Sequence, residues 1–540
     1  MTNKINKSNL HFIILGISFI ILIYVLNPNF TFDTNYIKHW STYHHDDIVF
    51  VYNSLLYAEG LEQHHLDHPS LFTFIIFPIF YKLAFYIGYI DFYNLSGFLQ
   101  SEDTNLALSK LFFISRFSIQ LLSFGVIVIV YKIVLKFSTK NFDSFFISLC
   151  LIFSTGFTSS SNRIESGLIA VFFALIAFYF FIKFIEKNHK LNLIYLILVF
   201  LFIFSSMMQK KIIYFALPFL FLSSFVFLKR NKLEFYDYRI LSKFYINYRY
   251  LLFSMYLFVL FFISYKTIIN NTFFLDRDLD FIFLVLNYTG FNLLFYLYIK
   301  IYQNKYYKNL LTYNLIFGCT YIIYKYFLIY FFSAPIAIWS ISFTNFLGQL
   351  NIFSSTEDIK GAFDFSSLAL YGEKFIENLQ LVVIKYFFSF SFQAILIWVN
   401  LILFLLFSKK IQLNEKISVY TLFFGFLFVQ SVILFRYEQD TYFLNSEFFL
   451  LFSLSILLRY LKINISYILG SLVLIILLFF SNLEHYKKIK KDNASSLCPN
   501  LIKNFEEEDN FYEYWIKKIP LETRSSFCND QFSKSFLLQK

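Results

Sequence analysis

Apolar runs of about 20 residues, the length a helix needs to cross the hydrocarbon core of a bilayer, recur along almost the whole of this chain. They constrain the fold more than any motif does. A single soluble core stops growing at a few hundred residues, and it could not bury a 540-residue chain that is 58% hydrophobic with 80 phenylalanines. The expected fold class is therefore an all-α polytopic membrane protein. No basic stripe lies on a soluble domain, which excludes a nucleic-acid binder.

The distribution of charge sets the expected topology. The first segment, LHFIILGISFIILIYVL, follows Lys4 and Lys7 and lacks a small-residue cleavage site. It reads as an uncleaved anchor with its N-terminus in the cytoplasm. Cationic clusters then mark every second loop: Lys132, Lys136 and Lys140; Lys183, Lys187 and Lys190; Lys229 through Arg249; Lys300, Lys305 and Lys308; Lys409, Lys410 and Lys416; Arg459 and Lys462. Acidic residues occupy the intervening loops. The positive-inside bias predicts about thirteen spans, at 10–27, 112–136, 142–158, 164–184, 191–208, 212–229, 251–269, 279–300, 310–333, 381–407, 417–435, 442–461 and 464–481. Residues 482–540 are then outside.

Residues 71–90 are apolar enough to be a further span, but counting them so would invert everything downstream. They contain Pro78 and Lys82, and Glu102 and Asp103 follow. They read as a helix lying in the outer interface. The first outer loop, 28–111, then carries HHDDIVFVYNSLLYAEGLEQHHLDHPS, with five of the nine histidines. A second outer loop falls at 334–380, and the outer tail holds EEED at 506–509. These landmarks divide the chain into 1–230, 231–481 and the tail 482–540. Cys150 and Cys319 sit within spans, whereas Cys498 and Cys528 lie in the tail, where an oxidising compartment permits a disulfide.

Several residues on the expected outer side could do chemistry. A carboxylate such as Asp46 near the interface can take a proton from a hydroxyl nucleophile, while its neighbour Asp47 holds an acceptor or a metal. The structural alternative is that Asp47 caps the amphipathic helix IVFVYNSLLYAEG. His64 and His68 are spaced for a metal on a helical turn, but Pro69 disfavours helix there and no third ligand stands out. With His65 they suit a phosphate near the membrane surface, or are simply solvated loop histidines. Arg163 and Glu165 in SSSNRIES, Lys210 and Lys211 in MMQKK, and Arg436 and Tyr437 at the end of a late span face the same side. Singly such cations snorkel. Together they form a ring of positive charge suited to an anionic lipid phosphate. Lys325, within a span, has no assigned role.

This layout resembles the GT-C superfamily of polytopic glycosyltransferases, in the branch of protein O-mannosyltransferases, the lipid A aminoarabinose transferase and RgtA-type enzymes. The resembling features are HHDD after the first span, a helix ending in AEG, HLDHPSLFTFIIFPIFYKL with a basic residue before Pro, the Arg of SRFSIQLLSFG opening the second span, NRIES, QKKIIYFALPFLF and RYEQDTYFL. The chain departs from the family pattern in having Asp-Asp where Asp-Glu is common, and His68 where Lys is frequent. The resemblance implies a GT-C-like catalytic module over 1–230 and a sugar donor carried on polyprenyl phosphate. The acceptor would be a lipid, glycan or protein at the outer face of a bacterial inner membrane. By the same resemblance Asp46 is the base for an inverting transfer. Asp47 positions the acceptor or binds a divalent cation, and His68, Lys210, Lys211 and Arg436 neutralise the departing phosphate. Arg163, Glu165, His65 and Tyr437 line the cavity. The competing functions are a flippase for lipid-linked saccharides, which would favour charges midway through spans and broken helices, and an oligosaccharide polymerase or ligase.

Overall fold

The computed structural model describes residues 7–26, 45–61, 70–101, 104–164, 166–186, 192–207, 209–210, 213–228, 368–434 and 440–494. Among them the protein is all-helical. The first half supplies α1 (Lys7–Leu26), α2 (His45–Glu59), α3 (Leu71–Tyr86), α4 (Leu95–Leu99), α5 (Thr104–Ser138), α6 (Asn141–Ile152), α7 (Thr155–Ser161), α8 (Ser166–Glu186), α9 (Asn192–Met207) and α10 (Ile213–Leu228). The second half supplies α11 (Leu368–Phe388), α12 (Phe392–Phe407) and α13 (Leu413–Ile433). After these come a 3₁₀ turn at Asp440–Phe443, α14 (Leu444–Leu458), α15 (Ile465–Ser481) and α16 (Leu483–Ala494).

Among the described residues five helices are long and apolar enough to cross a membrane, or up to eight if each sharply bent pair is one span. The protein is thus a multi-pass membrane protein. The expected spans 251–269, 279–300 and 310–333 lie outside the described residues, as do most of the 334–380 segment, Cys319, Cys498, Cys528 and residues 495–540. The segments 191–208 and 212–229 appear as the 16-residue helices α9 and α10, each about 24 Å long at 1.5 Å per residue.

Two expected spans are not single helices. The 142–158 segment breaks between α6 and α7 with a 65° bend, and the 381–407 segment breaks between α11 and α12 with an 81° bend. Both breaks fall at serines that cap the following helix. Ser154 is extended and accepts from the Phe157 amide at 3.2 Å; Ser391 is extended and accepts from the Ala394 amide at 3.2 Å. A side-chain oxygen that satisfies a new helix N-terminus competes with continuing the old helix, and an apolar-length criterion is blind to it.

Packing places α14 at the centre, with every residue from Leu444 to Leu458 buried. It contacts helices from both halves of the chain, α5, α6, α7, α8, α10, α12 and α13. By contrast α1 and α15 expose Ile17, Ile20, Ile21, Ile468, Leu472 and Val473, the apolar outer surface that lipid covers. With lipid as solvent, helices associate through close van der Waals fit rather than through apolar burial. Gly425 of α13 supplies such a fit: a Cβ there would meet the Phe449 ring at 2.8 Å and Phe219 Cβ at 2.9 Å.

The two ends of the bundle differ in chemistry. At one end the cationic loops meet. Lys136 pairs with Glu186 at 2.8 Å, Arg459 with Glu415 at 2.9 Å, and Lys140 donates to the carbonyls of Leu458 and Arg459 at 3.0 Å. Of the loops that alternation of charge assigns to one side, those around Lys136 and Lys140, Glu186, Glu415 and Arg459 gather at one end, while those at 229–249 and 300–308 lie outside the described residues. The opposite end, where α7 lies, holds the candidate site.

Candidate functional site at the α7 end

Helix α2 begins at His45, so Asp46 and Asp47 lie in its first turn. Asp47 is 2% exposed, and its carboxylate reaches across the bundle. One oxygen accepts from the Ile164 amide at 3.0 Å, and the other pairs with the Arg116 guanidinium at 3.3 Å. The capping alternative for Asp47 gives way to this cross-bundle role, because it stands inside the helix rather than before it. Arg116 is the arginine of SRFSIQ and is also buried, with the Phe112 ring 5.7 Å from its guanidinium carbon. Breaking a buried ion pair by removing one partner costs about 3–5 kcal/mol. This link therefore fixes α2, α5 and the loop before α8 relative to one another.

Local signals hold α2 and α3 in place. Gly60 adopts φ of +80°, the left-handed turn that ends a helix, so AEG terminates α2. Glu59 then accepts from the Ser96 amide at 3.2 Å and its hydroxyl at 2.7 Å, tying α2 to α4. The start of α3 is closed from a distance. Gln209, fully buried, accepts from the amides of Phe72 at 2.7 Å and Thr73 at 3.3 Å, and its own amide donates to the Thr73 hydroxyl at 2.8 Å. The MMQKK segment therefore caps the helix that follows HLDHPS. Burial pushes the Tyr52 phenol, on α2, up to about 12, so it stays neutral.

Lys210 follows Gln209 directly and is 9% exposed, with its ammonium 4.2 Å from the centre of the Tyr442 ring. That is cation–π range. Tyr442 belongs to the 3₁₀ turn that also contains Asp440. Arg163, next to the Ile164 that binds Asp47, acts through space on the Asp440 carboxylate. Asp47, Arg163, Asp440, Tyr442 and Lys210 thus form a chain of neighbours at one end of the bundle.

Of the residues singled out from sequence, Asp47, Arg163 and Lys210 lie at the same end of the bundle, each in contact with a neighbour of the next rather than with one another. Asp46 lies beside Asp47 in the first turn of α2. His65, His68, Glu165, Lys211, Arg436 and Tyr437 lie outside the described residues. Among the described residues no three His, Cys, Asp or Glu side chains converge as a metal site would require.

Other residues at this end carried no sequence signal that pairs them. Thr155 donates to Asn482 at 2.8 Å, and Tyr486 donates to the Phe153 carbonyl at 2.9 Å, so α16 is anchored across the α6–α7 break. His485 of α16 lies 3.3 Å from Asp440. Below them Glu447 of α14 is fully buried, accepting from the Gly156 amide at 3.1 Å and from Gln393 at 2.7 Å. A carboxyl group in an apolar span is itself a signal, and Glu447 could have been singled out on that ground. No protein-family model, curated protein or solved structure matches this chain.

Proposed function

We propose that this protein is a glycosyltransferase that moves a sugar from a polyprenyl-phosphate donor to a lipid, glycan or protein acceptor at the outer face of the membrane. The supporting observation is that Asp47, Arg163 and Lys210, from segments more than 100 residues apart at the extremes, lie at one end of an apolar bundle, linked through their neighbours Ile164, Asp440 and Tyr442. Cations held on low-dielectric walls attract a lipid phosphate and stabilise it as it departs.

In this reading Asp46 takes the proton from the acceptor hydroxyl. The hydroxyl oxygen bonds to the anomeric carbon as the bond from that carbon to the phosphate oxygen breaks, which inverts the carbon. Polyprenyl phosphate leaves with its negative charge facing Lys210 and Arg163, with His68, Lys211 and Arg436 assigned to the same task by resemblance. Asp47 is a positioning residue, since both of its oxygens are engaged, by Arg116 and by the Ile164 amide.

The test is transfer of radiolabelled sugar from polyprenyl-phosphate donors to membrane acceptors, in wild type, Asp46→Asn and Asp47→Asn at matched expression, with and without chelator. Loss of transfer in Asp46→Asn, with insertion intact, is expected. Full activity in both variants would remove the acidic pair from the chemistry.

A further inference from the structure

Three side chains at the α7 end form a hydroxyl–imidazole–carboxylate relay that sugar transfer does not use. The Nε2 atom of His485 lies 3.1 Å from Ser159 Oγ, and its Nδ1 atom lies 3.3 Å from Asp440 Oδ2. The three residues come from α7, α16 and the 3₁₀ turn, so only the tertiary fold assembles them. This is the arrangement in which a carboxylate orients an imidazole, the imidazole takes a proton from a hydroxyl, and the hydroxyl becomes a nucleophile; it is defined by geometry rather than by sequence order.

Hydrogen-bond accounting singles out Ser159 over its neighbour. Thr158 Oγ1 also approaches Nε2, at 3.3 Å, but its hydroxyl sits 2.8 Å from the Ser154 carbonyl and 3.1 Å from that of Thr155. Its single proton is committed to the backbone. The Ser159 hydroxyl has no other hydrogen-bond partner among the described residues, so its proton can point at the imidazole. On the far side Asp440 receives Nδ1–H, and Lys488 lies 3.5 Å from the same carboxylate. Buried beside the relay, Thr441 Oγ1 and Asn162 Oδ1 have no hydrogen-bond partner among the described residues. Orphaned polar atoms of this kind call for a partner beyond the protein's own side chains, an ordered water or a bound group. Arg163 and Lys488 add positive charge at the rim.

We infer that Ser159, His485 and Asp440 form a nucleophilic site that cleaves or transfers the acyl group of a carboxylic ester borne by a lipid with an anionic headgroup. Ser159 Oγ bonds to the carbonyl carbon while His485 Nε2 takes its proton. The bond from that carbon to the alcohol oxygen breaks, and His485 returns the proton to the departing alkoxide. Water or an acceptor hydroxyl then attacks the acyl-serine, with His485 again carrying the proton, and Ser159 is restored. No redox step is involved. Neither Ser159 nor His485 has a part in sugar transfer, and the two sites share only the nearby Arg163 charge.

The test uses the full-length protein in detergent and an alkyl fluorophosphonate. This probe loses fluoride to an activated serine and leaves a stable phosphonyl adduct. Peptide mass mapping of wild type should place the adduct on Ser159. Labelling should fall to background in Ser159→Ala and drop at least tenfold in His485→Gln and Asp440→Asn. The wild-type mapping does not depend on any variant folding. No adduct on Ser159, or undiminished labelling in Ser159→Ala, would overturn the inference.

Discussion

Gly156→Ala is the substitution for which the structure makes the sharpest demand. Gly156 stands in the first turn of α7, where the chain crosses the start of α14 at backbone distance. A Cβ at this position would lie 2.1 Å from the Leu444 nitrogen, 2.6 Å from Leu444 Cα and 2.7 Å from the Phe443 carbonyl carbon. All three are backbone atoms, so no side chain can swing aside, and α7 or the 3₁₀ turn must move. Overpacking of this kind costs about 1–3 kcal/mol. Movement of α7 also lengthens the bonds from the Gly156 amide to Glu447, now 3.1 Å, at a further cost of about 1–3 kcal/mol for a buried acceptor left short of a donor. The two contributions overlap, and about 3 kcal/mol in total is expected, roughly a hundredfold in the folding equilibrium. The assay is equilibrium unfolding in mixed micelles, with Gly372→Ala and Gly470→Ala as controls. At both control positions the Cβ meets nothing within 4 Å. Alanine in an exposed helical site gains roughly 0.5–1 kcal/mol over glycine, so the controls should match or exceed wild type. Wild-type stability for Gly156→Ala would refute the close crossing of α7 and α14.

Further expectations concern single links at the two ends. Arg116→Ala should destabilise by about 3–5 kcal/mol in the same unfolding assay, because it removes the guanidinium from a buried ion pair with Asp47. Gln209→Ala should cost about 1–3 kcal/mol by stranding the Phe72 and Thr73 amides, and hydrogen exchange at the start of α3 should rise selectively. Lys210→Ala should lower kcat for a lipid-phosphate donor at least as much as it raises KM, because the departing phosphate loses a facing cation, with Lys210→Arg retaining most of the function, since guanidinium also stacks on the Tyr442 ring. At the opposite end, Glu415→Ala should destabilise by about 1–3 kcal/mol, because Glu415 both pairs with Arg459 and closes the capping box of α13.

Much of this arrangement is legible in the sequence because membrane helices announce themselves through length and apolarity. The alternation of lysine clusters anticipated which loops meet at one end, as the contacts of Lys136, Lys140 and Arg459 show. The two helix breaks were less visible, although their signal was present: STGFTSSS and SFS place serines and two threonines inside apolar runs, where hydroxyls compete for backbone bonds. Asp47 stood out through its position after the first span. Its partners did not, because Arg116 and Ile164 lie 69 and 117 residues away and only tertiary packing joins them. His485 has no local pattern at all. It sits alone in NLEHYKK, and its importance follows entirely from the neighbours that the fold gives it.

The most direct test of the central claim uses purified protein in liposomes, a polyprenyl-phosphate sugar labelled in the sugar, and a membrane acceptor extract. One polyprenyl phosphate should be released for each sugar transferred, with inverted anomeric configuration, and none by Asp46→Asn. Sugar that stays on its lipid phosphate in wild type, or that moves across the bilayer still attached to it, would contradict transfer and point to flipping.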